Sequence, residues 1–157
     1  LYGKSKLAGE EFVRTLCHRY LIVRSAWVYG IGRDFVSTVL NAAADPTCPW
    51  LAVPTDRFAS PTSADDLTAA VEQLIDHDTL GIYHIVCQGR CSRYDFAQAI
   101  LKAAHMEDKL ELHPIRAADA GSTPSYTVLD NLMLRLDNLP QPRPWKEALN
   151  EYINSLQ

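Results

Sequence analysis

The chain has 157 residues, of which 47% are hydrophobic and 22% are charged, and its formal net charge is −4. That length suits one domain with a real core, and the dispersed, slightly acidic charge argues against nucleic-acid binding, which needs clustered lysines and arginines. No apolar run approaches the ~20 residues of a membrane span, and early charges exclude a signal peptide, so we expect a soluble cytoplasmic protein that does not bind membranes.

The first half of the chain predicts helices that alternate with short strands. Helices are predicted over residues 1–19 and 35–44, and short strands over 20–24 and 51–53. The strand at 20–24 is rich in β-branched residues and is expected to be buried. The apolar side of the first helix is formed by Leu7, Phe12, Val13 and Leu16.

The second half continues the same alternation. Ser63 and Ser92 each begin a Ser-x-x-acid segment, the form of a capping box, in front of an apolar stripe with helical spacing. Residues 82–86 predict a buried strand, and 111–127 predict a loop with short extended pieces. Further helical stripes follow over residues 128–136 and 145–156. The pattern indicates an α/β fold in a single unit over 1–157.

Tyr2 and Lys6 stand one helical turn apart, so their side chains leave the same face of the first predicted helix. An ammonium group near a phenol favours the ionised phenol, and a tyrosine in that setting can donate a proton to a developing alkoxide or take one from an alcohol. The alternative is a surface pair without chemical function, because Tyr-x-x-x-Lys spacing is common.

Six segments of the chain are informative as a set. They are, in order, YGKSKLAGE, LIVRSAWVYG, DFVSTVL, DRFASPTSADDL, GIYHIVCQGRCSRYDFA and a final W-x-x-AL-x-x-Y. Together they resemble the dTDP-4-dehydrorhamnose reductases of the extended short-chain dehydrogenase/reductase superfamily, over nearly the whole chain. The resemblance implies the later part of a Rossmann-type, NAD(P)-binding fold plus a small mixed substrate-binding lobe.

The resemblance also implies a reaction, the reduction of dTDP-4-dehydro-6-deoxy-L-mannose to dTDP-L-rhamnose with NADPH or NADH. Tyr2 would protonate the C4 carbonyl oxygen, and Lys6 would favour the ionised phenol and hydrogen-bond the nicotinamide ribose. Ser25 and Ala26 would lie against the nicotinamide. A different nucleotide-sugar reductase or epimerase, and a non-catalytic reductase-like regulatory subunit, are the alternatives.

Trp27 and Arg57 are the candidate substrate-binding residues. The resemblance places Trp27 in the sugar pocket, while the other interpretation is a core indole beside a strand end. Arg57 stands where relatives usually carry Gln, and it either contacts an anionic nucleotide or lies on the surface. Two further departures are Ala59, in place of the usual Gly, and Arg93, in place of the usual Trp.

The glycine-rich turn that binds a dinucleotide is missing from the sequence, which has seven glycines. We therefore expect the chain to be the carboxy-terminal catalytic and substrate-binding half of a reductase, without its amino-terminal dinucleotide-binding half. By itself it should neither bind a dinucleotide tightly nor turn over. The sequence leaves the oligomeric state open, with a homodimer among the options.

The remaining titratable residues indicate no further site. The five histidines show no metal-ligand spacing, and the four cysteines, without a CxxC pair, are predicted to be buried free thiols in a reducing cytoplasm. Asp65 and Asp66 fit the first turn of a helix as a cap and a partner of the helix dipole.

Overall fold

A computed structural model describes residues 1–116 and 124–156. The helices in this part of the chain are α1 (Tyr2–Leu16), α2 (Phe35–Ala44), α3 (Ala64–Asp76), α4 (Arg93–Ala103), α5 (Leu132–Leu136) and α6 (Trp145–Ser155). The strands are β1 (Leu21–Arg24), β2 (Val28–Tyr29), β3 (Trp50–Pro54), β4 (Phe58–Ala59), β5 (Thr62–Ser63), β6 (Gly81–His84), β7 (Cys91–Ser92) and β8 (Glu111–Ile115). The predicted α/β alternation is confirmed.

The strands pair two by two. Three pairs are parallel, β1 with β6, β2 with β5 and β3 with β8, while β4 and β7 are antiparallel. Parallel partners need long crossover connections, and here these contain the helices, as expected for an α/β fold. Among the described residues no pair is part of a wider sheet.

Two apolar cores lie beside these pairs. The smaller core joins α3 to β6 and the segment around α5. It consists of Ala70, Leu74, Tyr83, Ile85, Leu134 and Leu139. The larger core lies among α2, α4 and α6, with the fully buried Phe96 near its centre. The Phe96 ring contacts four aromatic neighbours, Trp27, Tyr29, Phe35 and Trp145.

Helix caps fix where these elements begin. Ser92 and Asp95 form the predicted capping box at α4, and Asp34 and Ser37 form one at α2. At α3, Ser63 accepts the backbone N–H of Asp66 at 3.0 Å, as predicted. The Asp66 carboxylate, however, accepts the Ser63 hydroxyl and the Arg143 guanidinium, so the reciprocal half of this predicted box is not formed. The ion pair with Arg143 takes the oxygens that a box would use.

Several sequence predictions need correction. None of the residues of α1 is buried, and its apolar side is exposed, because no described element covers it. Cys17 is likewise exposed rather than buried, whereas Cys87 and Cys91 are buried, and all four cysteines are free thiols. Strand β1 is half-buried, with Arg24 exposed, rather than buried. The predicted helical stripe at 128–136 is helical over Leu132–Leu136, and part of the predicted loop at 111–127 lies outside the described residues. Of the helices described here, none combines the length and apolar character that membrane crossing requires.

Candidate functional site

Tyr2 and Lys6 face each other at the start of α1. The Lys6 Nζ atom lies 5.7 Å from the centroid of the Tyr2 ring, so the structure places the two side chains on one helix face. The Tyr2 side chain is 76% exposed. Its hydroxyl is therefore open to a ligand.

An ion pair attaches α1 to the carboxyl end of β1. Arg24 Nε donates to Glu10 Oε1 at 2.9 Å, and a second guanidinium nitrogen donates to Glu10 Oε2. The hydrogen bond from Arg24 holds the pKa of the Glu10 carboxyl below its usual value. Glu10 lies eight residues after Tyr2, so Tyr2 stands about 12 Å nearer the amino end of α1 and is turned by about 80° around the helix axis. The ion pair itself lies at the carboxyl end of β1, the edge where α/β folds bind their ligands.

The residues after β1 carry the predicted cofactor contacts. Ser25 and Ala26 are both half-buried. The Ser25 hydroxyl oxygen is shielded from solvent and has no hydrogen-bond partner among the residues that the structure describes. A buried hydroxyl without a partner is uncommon and costly. Ser25 therefore fits a position where a bound polar group completes the hydrogen bonding.

Trp27 has a strained backbone. Its φ of 43° lies in the left-handed region, which a bulky residue adopts at a cost of about 1–3 kcal/mol. Its carbonyl oxygen accepts the Thr62 backbone N–H at 3.3 Å, which connects this turn to the fully buried Thr62. Such strain is concentrated at ligand sites in proteins.

The Trp27 indole is half-buried between the larger core and a cation. Its ring stacks with that of Phe96 at 6.2 Å between centroids, as the core interpretation requires. The Arg93 guanidinium lies over the indole with its Cζ 3.6 Å from the ring centroid, and 4.4 Å from the Phe35 ring. The indole thus borders the core on one part of its surface and a guanidinium on another.

Arg57 lies next to Arg93. The Arg93 backbone N–H donates to the Arg57 carbonyl oxygen at 2.8 Å, and both side chains are half-buried. Arg57 is therefore partly shielded from solvent, and its contact with an anionic nucleotide stays a prediction. Burial lowers the pKa of Arg93 to about 10, and the positive charge of Arg57 acts in the same direction. Two cations thus lie close to each other here, and one of them, Arg93, stacks on Trp27.

Arg93 was missed as a site residue by sequence reasoning. The signal was present, since Arg93 replaces an aromatic residue of the reductase pattern, but sequence spacing does not bring residues 27, 35 and 93 together. A separate cavity of about 800 Å³ lies along another face of α4, bounded by Tyr94, Gln98 and Trp145. None of the predicted site residues lines it.

One known protein family matches this chain over its whole length. The RmlD substrate binding domain family matches residues 1–157. The spore coat polysaccharide biosynthesis protein SpsK of Bacillus subtilis (strain 168) is 39% identical over 155 residues, which cover 98% of this chain and 53% of SpsK. The chain thus spans about half the length of this curated relative.

Two solved structures are similar to this chain over nearly its whole length. A dTDP-4-dehydrorhamnose reductase from Clostridium acetobutylicum has a TM-score of 0.93 and 41% identity, over 99% of this chain and 55% of that one. A dTDP-4-dehydrorhamnose reductase from Bacillus anthracis, in complex with NADP, has a TM-score of 0.93 and 34% identity over the same shares of the two chains. The predicted resemblance and the predicted fold class are confirmed.

Proposed function

Because the chain belongs to the RmlD substrate binding domain family, we propose that it is the substrate-binding and proton-donating part of a dTDP-4-dehydrorhamnose reductase. The reaction is the reduction of the C4 ketone of dTDP-4-dehydro-6-deoxy-L-mannose to the alcohol of dTDP-L-rhamnose. The observation that supports the proposal is that Tyr2 and Lys6 share one face of α1, a helix that the Glu10–Arg24 ion pair joins to the last residue of β1, three residues before Trp27.

Each residue has a defined part in this reaction. Tyr2 donates its hydroxyl proton to the carbonyl oxygen as that oxygen gains negative charge, and Lys6 stabilises the phenolate that remains. Trp27 offers the deoxysugar the part of its half-buried indole that Phe96 and Arg93 do not cover, and Arg57 contributes positive charge for the nucleotide. The exposure of Tyr2 suits a proton donor that must reach a bound ligand.

NADPH or NADH supplies the hydride when it is bound. The residues of this chain that would hold it are Tyr2, Lys6, Ser25 and Ala26. The buried Ser25 hydroxyl, without a partner among the described residues, fits such a contact. The structure from B. anthracis contains NADP, which supports this choice of cofactor. The pyrophosphate, by contrast, has no glycine-rich turn to receive it within these 157 residues.

We also propose a cytoplasmic location for the enzyme, with a homodimer as the assembly to be tested. The four free thiols are consistent with a reducing compartment. Light scattering after size exclusion measures the number of subunits, and a monomer at all concentrations would contradict the dimer.

The test is product analysis with the protein at its natural length. NADPH or NADH and dTDP-4-dehydro-6-deoxy-L-mannose should yield dTDP-L-rhamnose. Tyr2→Phe should lower kcat by about 10²–10⁴-fold, because it removes the proton donor. The matched control is Tyr20→Phe, which removes a hydroxyl at the amino end of β1.

Other outcomes separate the alternatives. Turnover of a different dTDP- or UDP-sugar in preference to this one would indicate another nucleotide-sugar reductase or epimerase. Absence of turnover with all of them would favour a regulatory subunit. Full activity of the Tyr2→Phe variant would overturn the assigned proton donor.

A further inference from the structure

Arg93 differs from the arginines of this chain that form ion pairs. Five arginines lie within 4.0 Å of a carboxylate oxygen: Arg14, Arg19, Arg24, Arg135 and Arg143. Arg93 is half-buried, yet its guanidinium has no ion pair with any carboxylate in residues 1–116 and 124–156. A half-buried cation without a counter-ion is costly.

The aromatic rings around Arg93 compensate for part of this cost. Its Cζ is 3.6 Å from the Trp27 ring centroid and 4.4 Å from that of Phe35, distances typical of cation–π contacts. A guanidinium that stacks on a ring keeps its N–H groups in its own plane, where they can donate to an anion. Stacking therefore fixes the orientation of Arg93 without using its donors.

The surroundings of Arg93 add positive charge. Arg57 is its neighbour through the backbone hydrogen bond of 2.8 Å, and burial together with this neighbour lowers the pKa of Arg93 to about 10. An anion bound here would offset the free-energy cost of burying the Arg93 charge and would reduce the repulsion between Arg93 and Arg57.

We infer that Arg93, held over Trp27, binds an anionic group of the substrate, a phosphate or carboxylate oxygen. The inference rests on the proposed function, since it takes the turn after β1 as the ligand site. A ligand that approaches the covered face of the Trp27 indole meets the Arg93 guanidinium. Arg93 therefore selects for a ligand with negative charge at this point. The anionic oxygen belongs either to the diphosphate of a nucleotide sugar or to a carboxylate on the sugar ring.

The experiment measures binding by calorimetry, with the protein at its natural length and without turnover. The probes are dTDP, inorganic pyrophosphate and a free hexuronate. Arg93→Met keeps an apolar stem and removes the charge. It should therefore weaken the binding of the probe whose anionic group Arg93 contacts by about 10- to 100-fold. The matched control, Arg33→Met, removes an exposed arginine from the loop after β2 and should change binding by less than about twofold.

The pattern of losses identifies the source of the anion. Weaker dTDP and pyrophosphate binding assigns Arg93 to the diphosphate, and weaker hexuronate binding assigns it to a sugar carboxylate. Unchanged binding of all three probes overturns the inference. Arg93→Lys is the second variant in case Arg93→Met does not fold, and should lose part of the affinity, because an ammonium group lacks the planar donor pair.

This result is independent of the reductase test. If Tyr2→Phe abolishes turnover while Arg93→Met binds normally, the proposed function stands and the inference fails. If no turnover is found but the anion affinity depends on Arg93, the anion site stands without the reductase.

Discussion

Glu10 of α1 and Arg24 of β1 form a two-point ion pair, with 2.9 Å between Arg24 Nε and Glu10 Oε1. The other side-chain hydrogen bonds found in α1, within the described residues, remain inside that helix. The pair therefore determines how the face that carries Tyr2 and Lys6 lies against the carboxyl end of β1.

Replacement of Glu10 should affect catalysis more than stability. Glu10→Gln should lower kcat by about tenfold or more, because small displacements of reacting groups are costly, with KM less affected. The free energy of unfolding should change by no more than about 1 kcal/mol, the usual contribution of a surface pair. Steady-state kinetics and urea unfolding measure the two effects.

The control for this variant is Glu11→Gln. Glu11 pairs with Arg14 inside α1, at 2.9 Å, so its loss also removes one ion pair from the helix but leaves the link to β1. Equal losses of kcat in both variants would contradict a positioning function for Glu10.

The contribution of the Glu10–Arg24 pair to the free energy of unfolding should depend on pH. The hydrogen bond from Arg24 lowers the pKa of Glu10 in the folded protein. Its stabilising effect is thus complete above the pKa of the unfolded state, near 4.3, and is lost as the pH falls through the lower folded value. The difference in unfolding free energy between the native protein and Glu10→Gln should therefore disappear in the acid range. A difference that grows on acidification would exclude this account.

Asn131 should be important for stability. It is 4% exposed, and its carboxamide pairs with both backbone groups of Val86, accepting the N–H at 2.9 Å and donating to the carbonyl oxygen at 2.8 Å. Asn131→Leu leaves both groups without this partner and should cost about 2–4 kcal/mol in denaturant unfolding. Asn150→Ala, at an exposed position in α6, is the control and should cost less than about 1 kcal/mol.

The thiols should differ in reactivity. Burial raises the pKa of Cys87 to about 11 and that of Cys91 to about 12, whereas Cys17 is exposed. At pH 8 a maleimide should label Cys17 first, and should reach Cys87 and Cys91 after unfolding, because both thiolate and access are lacking before it. Mass spectrometry of timed samples measures the order, and rapid native labelling of Cys87 would contradict this packing.

The 157-residue chain by itself should bind NADPH weakly and should not turn over. In the proposed function it contributes contacts near the nicotinamide, but its sequence contains no glycine-rich turn to receive the pyrophosphate. Calorimetry with the isolated chain tests this, and a dissociation constant in the micromolar range would refute it.

Local signals in the sequence predicted most helices of the fold. Apolar periodicity and the serine caps at Ser63 and Ser92 placed α3 and α4, since caps and stripes depend on neighbouring residues. Strand pairing was not predictable in the same way, because β3 and β8 are separated by more than fifty residues and pair through backbone groups that carry no sequence signal. The exposure of the apolar side of α1 also has no local signal.

The candidate site was predictable only where its residues are neighbours in sequence. Tyr2 and Lys6 lie within one helical turn, so their spacing is sufficient to place them on one face. The position of Arg93 over Trp27 and Phe35 depends on the packing of three distant segments. A departure from the family pattern marked Arg93, but its contact with Trp27 required coordinates.

Helix α6 is hydrogen-bonded to the loop that follows the strained turn at Trp27. The Tyr152 hydroxyl of α6 donates to the Gly30 carbonyl oxygen, three residues after that turn. Proteolytic trimming within α6 would consequently be transmitted to the ligand-binding edge, more than a hundred positions earlier. Ligand protection of α6 against proteolysis would then report occupancy of the site.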